Sequence, residues 1–267
     1  MVMEKINRAA VLVSSCNAFN DCWKPFVKSF MDCWKDCPYN VYIISNGESF
    51  DSGCPNIHIL DVGEDKKWGT NTLTALKMID AEWIIYLQED YFLENKISTN
   101  IIENHIHYCS TNQIDYLRLA YPFFSDSHVC GPYYATSYTK KYAVCLQAAL
   151  WNKESFSKCI VDGWSGWDFE YNVIERINNV KPSFKVLGLS RKEWNKYGFK
   201  YVDGTAVRKG RWTRAAVRYL KDNGFVDVKN KRPIEGRVLS FLQENLIIPI
   251  FLRIVGIKIM NYFKWNF

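Results

Sequence analysis

Short apolar runs alternate with amphipathic helical stretches along the first ninety residues. Residues 11–15 form a compact apolar run, and large apolar side chains then recur at helical spacing from Trp23 to Trp34. The run at 83–87 is uninterrupted, as is typical of a strand buried on both faces. The predicted strands are 11–15, 41–44, 57–60 and 83–87, and the predicted helices are 23–34 and about 70–79. This alternation predicts a Rossmann-related α/β fold with a mostly parallel central sheet flanked by helices.

The second half of the chain has a less regular pattern. The aromatic segment 121–142 lacks clear periodicity, so part of it is expected to be loop, and a glycine-containing break at 162–166 precedes a helix. The other elements expected here are a helix near 97–108, strands at 116–119 and 143–151, and a helix through Phe156 and Ile160. Arg232-Pro233 is the one plausible boundary, which gives a domain over 1–232 and a tail over 233–267.

The tail is strongly apolar but is interrupted by polar and charged residues. A spanning helix needs about 20 mostly apolar residues, which the tail does not supply cleanly. Its basic and aromatic side chains are typical of an amphipathic helix on a membrane surface. A core or oligomer-interface helix is an equal alternative. We expect a cytoplasmic protein attached peripherally to the inner face of the cell membrane through this tail.

Composition narrows the possible function classes. The chain has 34 basic and 28 acidic side chains, a net charge of +6, which is mild for a nucleic-acid binder but suits an anionic ligand. The nine cysteines include no C-x-x-C pair, which argues against a disulfide framework and a zinc ribbon. The apolar stretch near the N-terminus is about five residues long, too short for a signal peptide and better interpreted as a first strand.

An acidic cluster directly follows the buried run 83–87. Ligands of open α/β sheets bind outside the carboxyl ends of strands, where Gln88-Glu89-Asp90 falls. Crowded carboxylates repel one another unless a cation neutralises them, and Mg²⁺ or Mn²⁺ bridging substrate phosphates would do so. The alternative is a turn with exposed acids. Apolar flanks, Leu87 before and Tyr91 after, count against it.

Several stretches, in this order, resemble the GT-A glycosyltransferases of bacterial capsule and lipopolysaccharide synthesis. In that fold a nucleotide-binding half ends in an acidic metal-binding motif, usually Asp-any-Asp, and the other half carries the acceptor site. The matching stretches are 11–16, 43–46, 68–71, 86–90, 146–151 and 166–170, within about residues 10 to 212. The resemblance implies a nucleotide-binding half over about 1–95 and an acceptor half over about 96–232.

The resemblance also implies which residues bind the donor and a metal. The implied donor residues are Ser14, Ser15 and Asn17 in the first loop, Glu89 and Asp90 after the strand, and Lys209 and Arg211 (with Arg208 less clearly) in a basic loop. A solvated basic face is the alternative for that loop. Asp90 falls on the metal-binding aspartate of the family, which implies Mn²⁺ or Mg²⁺. Gln88 replaces the first aspartate, and the lost charge weakens the expectation of metal dependence.

A second acidic pair, Asp168 and Glu170, opens a predicted helix after the break at 162–166. An inverting transfer needs a carboxylate to accept the proton of the attacking hydroxyl, and the family has its base in an acidic pair of this kind. One of the two acids is also explained as a partner of the helix dipole. Both stay candidates for the base, with Asp168 slightly preferred. Among the nearby tryptophans, Trp164 and Trp167 are expected to stack on an acceptor sugar, whereas Trp151 is expected in the core.

The expected function is therefore sugar transfer in surface polysaccharide synthesis. The donor would be a nucleoside-diphosphate sugar, and the acceptor a saccharide, expected to be lipid-linked; inversion is the expected outcome, with retention still open. Two alternatives remain. One is a non-catalytic carbohydrate-binding protein, supported only by Gln88, and the other is a sugar nucleotidyltransferase, although residues 14–18 lack its glycine-rich basic loop.

Overall fold

The computed structural model describes residues 8–120 and 127–236. The chain divides into two compact units, Met1–Thr205 and Ala206–Phe267. In the first unit the strands are β1 Ala9–Ser14, β2 Val41–Ser45, β3 Ile57–Asp61, β4 Trp83–Gln88, β5 Tyr116–Arg118, β6 Ser127–Cys130, β7 Tyr133–Thr136, β8 Ala149–Asn152 and β9 Val186–Leu189. Its helices are α1 Trp23–Cys33, α2 Lys67–Met78, α3 Thr99–Thr111, α4 Lys153–Cys159, α5 Gly166–Val180 and α6 Arg191–Tyr197, with 3₁₀ turns at Asn17–Cys22 and Val202–Gly204.

The nine strands form one mixed sheet in the order β3-β2-β1-β4-β8-β5-β9-β7-β6. Strands β1 to β4 are mutually parallel, whereas β8 runs antiparallel to both β4 and β5. The chain moves outward from β1 through β2 to β3 and then returns to β4 on the other side of β1. The boundary between β1 and β4 is therefore the point where the strand order reverses, the position at which open α/β sheets bind ligands.

The apolar runs become strands because both faces of the sheet are covered. Every residue from Ala9 to Val13 and from Trp83 to Leu87 is buried, as the uninterrupted apolar pattern predicts. Helix α1 packs Phe26 and Phe30 inward at helical spacing. Trp151 is fully buried among aromatic side chains, as expected. The predicted α/β class and central sheet are confirmed.

Three strands in the second half of the sheet differ from the predicted pattern. Strands β6 and β7 lie within the segment 121–142, which has no clear periodicity, and β6 is exposed along its length, so no apolar alternation marks it. The predicted strand at 143–151 begins only at Ala149. Before that point, the backbone groups of Leu146 bond to side chains rather than to a neighbouring strand.

The described part of the second unit, residues 206–236, contains a small hairpin and two helices: β10 Val207–Arg208, β11 Arg211–Trp212, α7 Arg214–Asp222 and α8 Val226–Lys229. Lys209 and Gly210 turn the hairpin with positive φ angles of 52° and 71°, the conformation of a two-residue primed turn. Arg208 pairs with the buried carboxylate of Glu235 at 3.0 Å. Beyond Gly236 the predicted tail lies outside the described residues. No described helix is long and apolar enough to cross a membrane.

Candidate active site

The first acidic cluster lies where β1 and β4 end side by side. Ser14 is paired with Gln88 in the parallel register, and the Glu89 backbone N–H donates to the Ser14 carbonyl at 3.3 Å. Glu89 and Asp90 are each only 7% exposed. The apolar flanks therefore hold these acids against the body of the unit, as predicted, and not on an exposed turn.

Three loops at this edge of the sheet are joined by side-chain amides. The Asn17 amide donates to the Asn46 carbonyl at 2.7 Å and accepts from the Asn46 N–H at 2.9 Å. Asn46 in turn donates to the Gly63 carbonyl, after β3. Ser15 accepts a hydrogen bond from the indole of Trp23 at 2.8 Å. Asn17 thus fixes the loops after β1 and β2 relative to each other, a positioning role that sequence reasoning did not assign.

Gln88 has a partner inside the protein. The buried Tyr86 hydroxyl accepts hydrogen bonds from the Trp68 indole at 3.1 Å and from the Gln88 amide at 3.5 Å, and it also hydrogen-bonds Ser14. Burial raises the pKa of Tyr86 to about 12, although these hydrogen bonds oppose the shift. Gln88 is therefore in contact with a buried side chain at the end of β4.

Asp90 and its neighbour Tyr91 connect the cluster to later parts of the chain. The Thr205 hydroxyl donates to Asp90 Oδ2. Tyr91 stacks on Tyr201, with ring centroids 4.2 Å apart and nearly parallel planes, and its hydroxyl donates to the Leu146 carbonyl at 3.2 Å. These contacts fix the loop that carries the acids.

The second acidic pair begins α5, where its members have different surroundings. Asp168 forms a capping box with Ser165: its Oδ2 accepts from the Ser165 backbone N–H at 2.8 Å and from the hydroxyl at 2.7 Å. These hydrogen bonds hold the pKa of Asp168 below its usual value. Of the pair, Asp168 is the acid explained by the helix terminus.

Glu170 points to the interior. Its Oε1 accepts the Leu146 backbone N–H at 2.7 Å. Burial raises the pKa of Glu170, while that hydrogen bond and the nearby Arg118 oppose the rise. Arg118 is only 4% exposed and donates to the Ala120 and Tyr142 carbonyls and to the Gln147 side chain. A largely buried carboxylate with a raised pKa is a candidate for proton transfer.

Leu146 hydrogen-bonds to the loop after β4 and to the second acidic pair. Its carbonyl accepts from Tyr91, the neighbour of Asp90, and its N–H donates to Glu170. Tyr91 and Glu170 are about 80 residues apart in sequence, yet one residue hydrogen-bonds to both. Arg118, Leu146, Tyr201 and Thr205 were missed by sequence reasoning, because a buried arginine or a backbone contact leaves no recognisable motif.

Helix α2 holds the start of α5 in place. The Gly69 N–H donates to the Trp164 carbonyl at 2.7 Å, and the Thr70 hydroxyl donates to Asp162 at 2.6 Å. A β-carbon at Gly69 would lie 2.4 Å from the Val161 carbonyl oxygen. Only glycine permits this approach.

The remaining predicted site residues lie in different environments. Trp164 packs against the hydrophobic core, whereas Trp167 is exposed on α5. Lys209 and Arg211 are exposed on the hairpin of the second unit, and their assignment to the donor stays a prediction.

The acids after β4 are the carboxylates of this site that could hold a divalent ion on a diphosphate. Mg²⁺ in such sites uses one or two carboxylates together with substrate phosphates, and Glu89 and Asp90 supply two. Across residues 8–120 and 127–236, no group of three or more His, Cys, Asp or Glu side chains could hold a metal. A metal would therefore depend on the phosphates for part of its coordination.

No protein-family model and no curated protein matches the sequence. Among solved structures, S. aureus TarS 1–349 in complex with UDP-GlcNAc has a TM-score of 0.51 and 11% identity, over 88% of this chain and 70% of that one. A second structure of the same fragment has a TM-score of 0.49 and 10% identity, over 88% and 69%. This chain spans 38% of a longer TarS chain. At such identity the likeness shows a shared fold.

Proposed function

We propose that this chain is a glycosyltransferase that moves a sugar from a nucleoside-diphosphate sugar to a saccharide acceptor. The observation that carries the proposal is that Leu146 hydrogen-bonds both to Glu170 and to Tyr91, the residue directly after Glu89 and Asp90. A donor-binding cluster and a separate carboxylate of raised pKa are the two parts that an inverting transferase needs. The UDP-GlcNAc bound by the TarS fragment supports a nucleotide-sugar donor.

In this proposal Glu170 is the base and Asp168 is not. Glu170 takes the proton of the acceptor hydroxyl as that oxygen attacks the anomeric carbon, and the bond to the nucleoside diphosphate breaks. Asp168 is occupied by its capping box. Asp90, with Glu89 beside it, would hold Mn²⁺ or Mg²⁺, which neutralises charge on the diphosphate. A lipid-linked acceptor and a role in surface polysaccharide synthesis complete the proposal.

A thermal-shift screen of nucleoside-diphosphate sugars, with and without Mn²⁺, tests the proposal. A ligand at one hundred times its Kd stabilises the native state by about 2.7 kcal/mol, enough to raise the melting temperature measurably. We expect one sugar nucleotide to do so and to be consumed with release of the nucleoside diphosphate. If none stabilises the protein, the proposal is wrong. Pyrophosphate release from a nucleoside triphosphate and a sugar phosphate would instead indicate a nucleotidyltransferase.

A further inference from the structure

Two aromatic side chains are exposed next to each other on α5. Trp167 is 64% exposed and Tyr171 is 55% exposed, one helical turn apart. Their ring centroids are 6.3 Å apart, with an angle of 27° between the planes. Single exposed apolar side chains are common on protein surfaces, but two neighbouring aromatic rings exposed together offer a surface on which a ligand can pack.

This ring pair borders the proposed base. Glu170 lies between the two aromatic residues in sequence, and its side chain points inward to Leu146 while the rings face outward. Tyr142 lies near both Tyr171 and Glu170, and its backbone carbonyl accepts a hydrogen bond at 2.6 Å from Arg118, the cation beside Glu170. The Lys141 ammonium lies 5.1 Å from the centre of the Tyr142 ring and adds a hydrogen-bond donor at this edge.

A sugar ring matches the chemistry of this surface. Its C–H face stacks on aromatic rings, and its hydroxyls can bond to the polar groups at the edge. The hydroxyl that attacks the donor must reach Glu170, so the sugar that carries it occupies the space beside the carboxylate. Trp167 and Tyr171 can then stack on the next sugar of the same acceptor.

We infer that Trp167 and Tyr171 bind the second sugar of the acceptor, and that the acceptor is an oligosaccharide of at least two units. This inference rests on the proposed function, because it takes Glu170 as the position of the reacting hydroxyl. Tyr171 and Tyr142 are added to the acceptor residues expected from the sequence, and Trp164, which packs against the core, is left out. The acceptor also has a minimum length of two sugars.

The test compares disaccharides with monosaccharides by saturation-transfer NMR and titration. The probes are chitobiose, cellobiose and lactose against N-acetylglucosamine, glucose and galactose, on the full chain with the stabilising sugar nucleotide. The variants are Trp167→Ala and Tyr171→Ala, with Tyr171→Phe as the conservative change. Tyr134→Ala, which removes a half-buried ring of β7 packed edge-on against His128, is the matched control. Melting temperatures establish that each variant is folded.

We expect at least one disaccharide to bind more tightly than its monosaccharide. Either alanine variant should weaken that disaccharide about tenfold and leave the monosaccharide unchanged, whereas Tyr171→Phe and Tyr134→Ala should bind as the wild type does. The inference is overturned if no disaccharide binds better than its monosaccharide, or if the alanine variants bind like the wild type. The rise in melting temperature caused by the sugar nucleotide is measured separately on the same proteins. If the sugar nucleotide still stabilises the protein while the disaccharide result fails, only the acceptor inference is wrong.

Discussion

Asp168 and Glu170 are two residues apart, yet their surroundings shift their pKa values in opposite directions. Hydrogen bonds from Ser165 lower the pKa of Asp168, while burial raises the pKa of Glu170. A carboxylate whose pKa is raised towards neutrality is a better proton acceptor at physiological pH. The sequence places both acids in one motif and cannot separate them, because the difference comes from the capping box and from Leu146.

Glu170→Gln should abolish transfer and leave donor binding unchanged. The amide keeps the size of the side chain but cannot take a proton, so we expect transfer to fall by about 10² to 10⁴-fold. The measurement pairs a transfer assay with titration of the donor. Ser165→Ala is the control, because loss of this N-cap costs about 1 kcal/mol of stability and should leave transfer measurable. Wild-type transfer by Glu170→Gln would remove this residue from the mechanism.

The pH profile of transfer should report Glu170 on its acidic side. The base works when ionised, so the rate falls as the pH drops through its pKa, and burial makes this fall begin at a higher pH than for an exposed glutamate. Arg118 lowers the pKa of Glu170, so Arg118→Met should move the acidic limb to higher pH. Arg118→Lys, which keeps a cation, should move it less. An acidic limb identical in Arg118→Met and the wild type would contradict this account.

At the scale of elements, the contact between α2 and the start of α5 positions the second acidic pair. Gly69→Ala would push a methyl group against the Val161 carbonyl, and overpacking of this kind typically costs about 1–3 kcal/mol. We expect lower stability in denaturant unfolding together with weaker transfer, because the helix carrying Glu170 must shift. Gly236→Ala has open space around its β-carbon and serves as the control. Equal stability of the two variants would show that this contact is unimportant.

At the same scale, the parallel half of the sheet was predictable and much of the other half was not. Strands β1 and β4 are apolar throughout because both faces are covered, so their pattern identifies them. Strand β6 is exposed, and β9 is a short run of four residues between polar segments. Their pairing depends on contacts between residues distant in sequence, which the local pattern of apolar residues does not reveal.

At the scale of the whole molecule, the order of strands determines the position of the site. The alternating pattern of the sequence predicts the parallel sheet and the place of Glu89 and Asp90 after a strand, whereas the reversal between β1 and β4 is seen only in the structure. The hydrogen bonds of Leu146 to Tyr91 and Glu170 lie in an irregular segment that the sequence predicts to be a strand. The position of the first acidic cluster at a strand end was thus predictable, whereas the different surroundings of Asp168 and Glu170 required the fold.

Calorimetric titration of the stabilising sugar nucleotide into the wild type, Asp90→Asn and Glu170→Gln tests the central claim most directly. We predict that Asp90→Asn weakens donor binding by at least about tenfold, the equivalent of 1.4 kcal/mol, and loses any enhancement by Mn²⁺. Glu170→Gln should bind the donor with wild-type affinity. Undiminished binding by Asp90→Asn, or absence of binding by the wild type to every sugar nucleotide, would contradict the account.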